Sequence, residues 1–397
     1  MTETPCPYPF RRAAALDPPE ELRTLRDEPV VPATLPSGDV AWLVTRYEDI
    51  RTLLCHPHVS RNIMRPGAAR MSKNNMMFQD SKMDPDPPAH TRLRRLVMKA
   101  FTATRVENLR PHVQKVADEL VDGMIAAGPP ADLNTALSFP MTIRIICELL
   151  GVPVEDRDRF RGWTDAFLSV SKFGREEIGR AMGELNGYMA DLIKEKRERP
   201  RDDLISALIG VRDTEDGRLS EYELHWWSRL LLLVGYETTA AQLSASVAVL
   251  LTHPDQAKKL REDPGLVPQA VEELLRLKLL GSSLSMLRYV TEDIEIGGRT
   301  IPKGTSVIPV IESANVDASV IDRPDEFDVG RGEAHHLTFS VGPHFCVGAA
   351  LARLQLQMAI ETLLRRLPEL RLTVSPAELR RNEGALMEGL LEVPVAW

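Results

Sequence analysis

Cys346 stands between two glycines in the stretch Phe339-Ser340-Val341-Gly342-Pro343-His344-Phe345-Cys346-Val347-Gly348, at the mouth of a helical pattern over 347–366. Backbone N–H groups and the helix dipole favour a thiolate at such a position. The glycines let the backbone pass close to something flat or bulky. Metal ligation and nucleophilic attack are the chemistries open to this residue; a buried small hydrophobe is the bland alternative. As a nucleophile Cys346 would need His344 as its base. A pair two residues apart on one loop is poorly placed to align, and no oxyanion-hole pattern accompanies it.

A second group lies in Leu230-Leu231-Leu232-Leu233-Val234-Gly235-Tyr236-Glu237-Thr238-Thr239-Ala240. An acid and two threonines inside an apolar run do not fit simple core packing. The Thr238 hydroxyl could bond back to the Val234 carbonyl four residues earlier, which would open the helix beside Gly235. Glu273-Leu274-Leu275-Arg276 places two opposite charges at i, i+3 on one helix face. His90 and Arg94 share a face at i, i+4, and Arg288 opens a strand-like stretch. Arginine suits carboxylates because its planar fork binds both oxygens. Each of these cations could equally be a solvated surface charge.

The elements that must position these groups are mostly helices. Apolar periodicity predicts helices over 19–27, 47–55, 88–100, 103–127, 140–150, 155–170, 175–197, 201–213 and 347–366, with a long one over 220–251. Two more follow over 254–277, separated by Asp263-Pro264-Gly265. A hairpin is expected over 30–45 and strands over 286–309, 369–374 and 390–396. Residues 1–18 read as irregular, and 317–345 as a long aperiodic segment. The stretch 60–82 mixes Met and Phe with polar residues, suiting either an adaptable ligand contact or a plain surface loop. No repeat or linker divides the chain, so 1–397 is read as a single domain, mainly α with minor β.

The composition agrees. The 397 residues carry 43% hydrophobic side chains and a net charge of −8, which argues against general nucleic-acid binding. Four widely spaced cysteines with no Cys-x-x-Cys pair fit a reducing compartment better than a disulfide framework or a structural zinc site. No apolar run has the length of a signal or membrane span. The expectation is a cytoplasmic protein without a membrane anchor, and a monomer.

Phe339, Gly342, His344, Cys346 and Gly348 together resemble the haem-ligand loop of the cytochrome P450 family. The resemblance extends from about residue 20 to Trp397 and is similar to the bacterial members without an anchor. It implies the P450 fold, with haem b between the long oxygen-activation helix and the cysteine helix, and Cys346 as the iron ligand. Thiolate ligation pushes electron density onto iron and favours O–O cleavage. By the same resemblance Phe339 shields the sulfur and N–H groups near Gly348 bond it. His90, Arg94, Arg288 and His344 hold the propionates, and Glu273 with Arg276 is a structural pair engaging the segment around 324–331. Thr238 is then the oxygen-step alcohol and Glu237 the acid that relays protons. Electrons come from NAD(P)H through a ferredoxin and its reductase. Arg92, Arg95, Lys99 and Arg353 are candidates to dock that acidic partner.

Three positions depart from the family pattern: Val234, where Ala or Gly is usual, Tyr236, and Val316, where Arg is commoner. A branched Val234 would crowd the space over the iron. The resemblance places the substrate pocket at Val234 and Gly235, at Gly281, Ser282, Ser283 and Leu284, and at Met387. Asn74, Asn75 and Gln79 add polar reach. Serines beside the haem suit a substrate with amide or carbonyl groups, although small serines also fill tight turns. The pattern is similar to that of actinobacterial natural-product tailoring enzymes, including those that couple or hydroxylate aromatic cyclic dipeptides. The expected function is therefore an oxidase or monooxygenase of secondary metabolism. The alternatives are an ordinary hydroxylase of a polyketide, macrolide or terpenoid, and a non-catalytic haem-binding sensor or carrier.

Overall fold

A computed structural model describes residues 4–73, 83, 85–99, 101–214, 219–277, 280, 281 and 283–397, with the backbone alone for 154, 214, 283 and 284. Its helices are α1 (Glu21–Thr24), α2 (Tyr47–Cys55), α3 (Ala89–Met98), α4 (Ala103–Asn108), α5 (Arg110–Ala127), α6 (Phe139–Leu150), α7 (Arg157–Phe167), α8 (Arg175–Glu198), α9 (Leu204–Thr214), α10 (Glu221–Gly235), α11 (Glu237–Thr252), α12 (Pro254–Glu262), α13 (Val267–Arg276), α14 (Ile311–Ala314) and α15 (Ala349–Arg366). Its strands are β1 (Cys6–Pro7), β2 (Val30–Thr34), β3 (Val40–Val44), β4 (Val59–Ser60), β5 (Ala131–Asp132), β6 (Arg288–Val290), β7 (Ile294–Ile296), β8 (Arg299–Ile301), β9 (Ser306–Pro309), β10 (Arg371–Leu372) and β11 (Pro394–Ala396).

One sheet runs in the order β1-β2-β3-β9-β6-β4, and two small sheets, β10-β11-β5 and β7-β8, complete the set. The hairpin β2–β3 pairs Val30 with Val44, and β6 and β9 pair Arg288 with Val307. The main apolar core joins α5, α6, α10, α11, α13 and α15, while a smaller one lies between the sheet, the end of α7 and the C-terminal turn. None of the helices among the described residues is long and apolar enough to cross a membrane.

Three expectations need correction. The helix expected over 103–127 is two, because Pro111 enters the first turn of α5, where its missing N–H is tolerated. Residues 1–18 are not wholly irregular: β1 lies parallel to β2, with Cys6 opposite Ala33, and fills that strand's open edge. The long helix breaks between Gly235 and Glu237. Its two halves start differently, α10 with the Ser220/Glu223 capping box and α11 with no side-chain cap.

Helix α6 ends at Gly151 in the left-handed conformation, φ +72°, with the Lys196–Asp203 ion pair packed against it. That pair is 2% and 3% exposed, so its charges are screened little. Asp203 also caps α9, accepting from the Ser206 N–H at 2.8 Å. Lys196→Met should cost about 3–5 kcal/mol by stranding the Asp203 charge. Lys196→Met with Asp203→Leu should recover all but about 1 kcal/mol, the value of the lost cap. Urea unfolding of the two variants beside the parent checks this.

Candidate active site

The cysteine loop is shaped before α15 begins. The Cys346 N–H donates to the Phe339 carbonyl at 2.8 Å, and Phe345 N–H to Gly342 at 3.1 Å. Gly342 sits at φ +71°, and a Cβ there would lie 3.0 Å from the Cys55 sulfur and 3.1 Å from the Leu54 carbonyl, so only glycine lets the loop lie on α2. Gly348 precedes the first turn of α15, and its N–H bonds the Cys346 sulfur. Burial pushes the thiol up, against that N–H and the charges of Arg94, Arg353 and Arg61. A coordinated metal removes such a proton outright.

Around His344 the fold gathers positive side chains from three distant segments. Its ring lies 4.2 Å from that of His90 on α3. Arg94, one turn along α3, donates to the Phe345 carbonyl. Arg288 is 3% exposed at the start of β6 and donates to the Met286 and Leu287 carbonyls at 2.8 and 2.9 Å. The sequence reading missed a further member, Arg61, just past β4. It feels the charges of Arg94, Asp86 and Cys346, and Asp86 acts on Arg288 as well. Asp86 is itself fixed by Ser60 and by the Arg61 N–H at 2.9 Å. Burial first, then repulsion from Arg61, Arg288, His90 and Arg94, drives His344 down to about 2. Burial lowers Arg61, Arg94 and Arg288 as well. Like charges repelling one another in a partly buried site favour an anion there in addition to Asp86.

On α10 and α11, Trp226, Leu230, Val234 and Thr238 are partly exposed at four-residue spacing, while most of their neighbours are buried. One stripe of a core helix therefore opens onto space. The Thr238 hydroxyl donates to the Val234 carbonyl at 3.1 Å, the back-bond anticipated from sequence. Gly235 turns toward α6 instead, where a Cβ would come within 2.7 Å of the Ile146 side chain. Tyr236 is 1% exposed and packs edge-on to Phe139. Glu237 is 7% exposed, and its Oε2 has no hydrogen-bond partner among the described residues. Desolvation and the nearby Asp165 charge raise its carboxyl to about 7, against Arg161 and Lys172. Asp165 on α7 was also missed from sequence.

The remaining pocket candidates are scattered in what can be said of them. Gly281 is buried with φ +32°, its Cβ position 2.8 Å from the Leu386 carbonyl and 3.0 Å from the Glu388 nitrogen. It packs on the C-terminal turn that carries Met387, which lies partly buried beside the smaller core. Ser283 and Leu284 begin a short 3-10 turn ending at Met286. Ser282, Asn74, Asn75 and Gln79 lie outside the described residues.

The profile of the family described as Cytochrome P450 matches residues 163–380, more than half of the chain. The mycinamicin IV hydroxylase/epoxidase of Micromonospora griseorubida is 43% identical over 396 residues, 99% of each chain. The chain belongs to the cytochrome P450 family. The nocardicin C N-oxygenase of Nocardia uniformis subsp. tsuyamanensis is 40% identical over 98% of both chains. The crystal structure of SgvP, a putative thioether synthase in the tailoring of griseoviridin, superposes with a TM-score of 0.94 at 42% identity, covering 99% of this chain and 100% of that one. The P450 fold expected from the cysteine loop is therefore correct, as is oxidoreductase activity. P450s carry haem iron and draw electrons from NAD(P)H through redox partners. The residues present fit that group: one thiol held by a backbone N–H, and a cluster of positive side chains beside it. These names lend no support to the cyclic-dipeptide expectation.

The position of Glu237 makes stability depend on pH. Its folded pKa lies above the ordinary value, so folding favours the protonated acid, and stability falls as pH rises from about 4.5 to 7. Glu237→Gln removes that dependence. The variant should match the parent near pH 5 and exceed it near pH 8, by on the order of 3 kcal/mol at most. Thermal unfolding at the two pH values checks the sign.

Proposed function

We propose that this P450 is a monooxygenase that hydroxylates a macrolide or other polyketide natural product. Cys346 is the iron ligand, and His90, Arg94, Arg288 and His344, joined by Arg61, receive the haem propionates, with Phe339 and Gly348 flanking the sulfur. The observation that carries this reading is the cation cluster around His344, beside a thiol already held by the Gly348 N–H. The naming of the mycinamicin relative supports the substrate class. Bound haem iron supplies dioxygen activation: one oxygen atom enters a substrate C–H bond and the other leaves as water, with two electrons and two protons consumed.

The chain's own residues supply position and protons. Thr238 presents its hydroxyl on the open stripe of α10 and α11. Glu237, with a carboxyl near 7, holds or releases a proton at working pH, under the opposed charges of Asp165 and of Arg161 and Lys172. Val234 narrows the stripe one turn from Thr238, and Gly281 with the turn that carries Met387 walls the substrate. Electrons arrive from a ferredoxin and its reductase, and the enzyme works as a cytoplasmic monomer.

The reduced protein should give a thiolate-type Soret band with carbon monoxide, and a panel of macrolides should include compounds that displace the iron-bound water and gain one oxygen. A protein without that band, or one that consumes no oxygen with any member of the panel, contradicts the proposal. Thr238→Ala should lower product formed per NAD(P)H, with hydrogen peroxide making up the difference. Unchanged coupling would remove Thr238 from the oxygen step.

A further inference from the structure

Arg353, expected from sequence to face an electron-transfer partner, is engaged inward. It lies in the second turn of α15, and its Nε and Nη2 donate to the two oxygens of Glu272 at 2.7 and 2.8 Å. Its guanidinium carbon sits 4.5 Å from the centroid of the Phe339 ring. Phe339 is the residue whose carbonyl accepts from the Cys346 N–H. Glu272 stands next to Glu273 on α13 but has separate partners. His336 approaches the same Oε2 at 3.2 Å, while its Nδ1 accepts from the Thr338 N–H at 3.3 Å. With Nδ1 so used, the ring proton is on Nε2 and is donated to Glu272. His336 is 4% exposed at its side chain, and Arg353 and Glu272 are 30% and 29% exposed.

This is more than a surface ion pair. The bidentate fork and the contact over the Phe339 ring fix the guanidinium. Burial opposes ionisation of Glu272, yet the bonds from His336 and Arg353 hold its carboxyl down at about 2, so the counter-charge persists at all working pH. Arg353 is also among the charges that favour the ionised Cys346 sulfur.

We infer that Glu272 is a positioning residue for the thiolate: it pins Arg353 over Phe339 and offsets the Arg353 charge at Cys346, so the pair sets the reduction potential of the haem iron. The inference rests on Cys346 being the iron ligand. A positive charge left uncompensated beside the sulfur draws electron density from it and favours the reduced metal. A negative charge left uncompensated does the reverse.

The test uses the full haem-loaded chain at fixed ionic strength, with midpoint potentials from spectroelectrochemical titration. Glu272→Gln should shift the Fe(III)/Fe(II) equilibrium two- to tenfold toward the reduced form, tenfold being 59 mV for one electron. Arg353→Gln should shift it by a similar factor toward the oxidised form. The double variant should return to within about twofold of the parent, and Glu272→Asp should lie between parent and Glu272→Gln. Loss of loop structure alone would move both single variants the same way, so shifts of one sign, or none, overturn the inference. If Glu272→Gln does not retain haem, Arg353→Gln decides: a negative shift upholds the inference and a positive or absent one overturns it. The carbon monoxide complex of the parent separates the two levels. A thiolate-type band with no opposed shifts defeats only the role of Glu272, whereas absence of that band defeats the ligation it rests on.

Discussion

Glu273 and Arg276 are both fully sealed from water, and the placing of the cysteine loop depends on how those two charges are satisfied. The pair is bidentate, at 2.7 and 2.9 Å, but a buried pair alone would not offset its desolvation. Arg331 adds a second cation to Glu273 at 2.9 Å, and the Asp328 N–H a further donor at 3.2 Å. Arg276 spends its remaining N–H groups on the carbonyls of Asn315, Pro324 and Glu326. An irregular segment with no periodicity of its own is thereby bound to α13. Asn315 then carries the order onward. Its side chain accepts from the Leu337 N–H and donates to the Thr338 hydroxyl and the Arg276 carbonyl. The cysteine loop starts immediately after, so its position is inherited from an ion pair that touches no substrate.

What could be read from sequence follows the same distinction between local and inherited order. The P450 family, the Glu273–Arg276 pair and most helices were legible because their signals lie within one turn or one loop. The opening beside Gly235 was legible as well, since a threonine four residues beyond a carbonyl is enough to suggest it. Arg61 was not. Its neighbours come from α3, β6 and the cysteine loop, and nothing in the spacing of 61, 94, 288 and 344 announces that they converge. Asp165 escaped for the same reason, facing Glu237 across two helices. Arg353 shows the opposite failure: the charge was visible, but its partner Glu272 lies far back in the chain, and without it an inward charge reads as an outward one.

The two sides of the candidate site are thus built on different electrostatic terms. On the cysteine side, charges are numerous and held in fixed geometry, and positive ones gather near His344. On the side of α10 and α11 the surroundings are apolar, and one carboxyl, Glu237, carries the titrating charge. Its value near 7 reflects burial and Asp165 working against Arg161 and Lys172. Either cation, being exposed, contributes less than its distance alone implies, because water screens it.

The helix break itself belongs to packing. Ile146 presses on Gly235 from α6 where any larger residue would collide, so the opening exists before a ligand arrives. Thr238 then satisfies the Val234 carbonyl, which the break would otherwise leave short of a donor. For its hydroxyl to serve a bound molecule instead, that bond must be given up, at a net cost of about 1 kcal/mol. The cost is small because the carbonyl faces the same open stripe, where water or a bound ligand can replace the hydroxyl. Glu237 stands one residue before Thr238, about 100° around the helix, and feels the charge of Asp165 on α7.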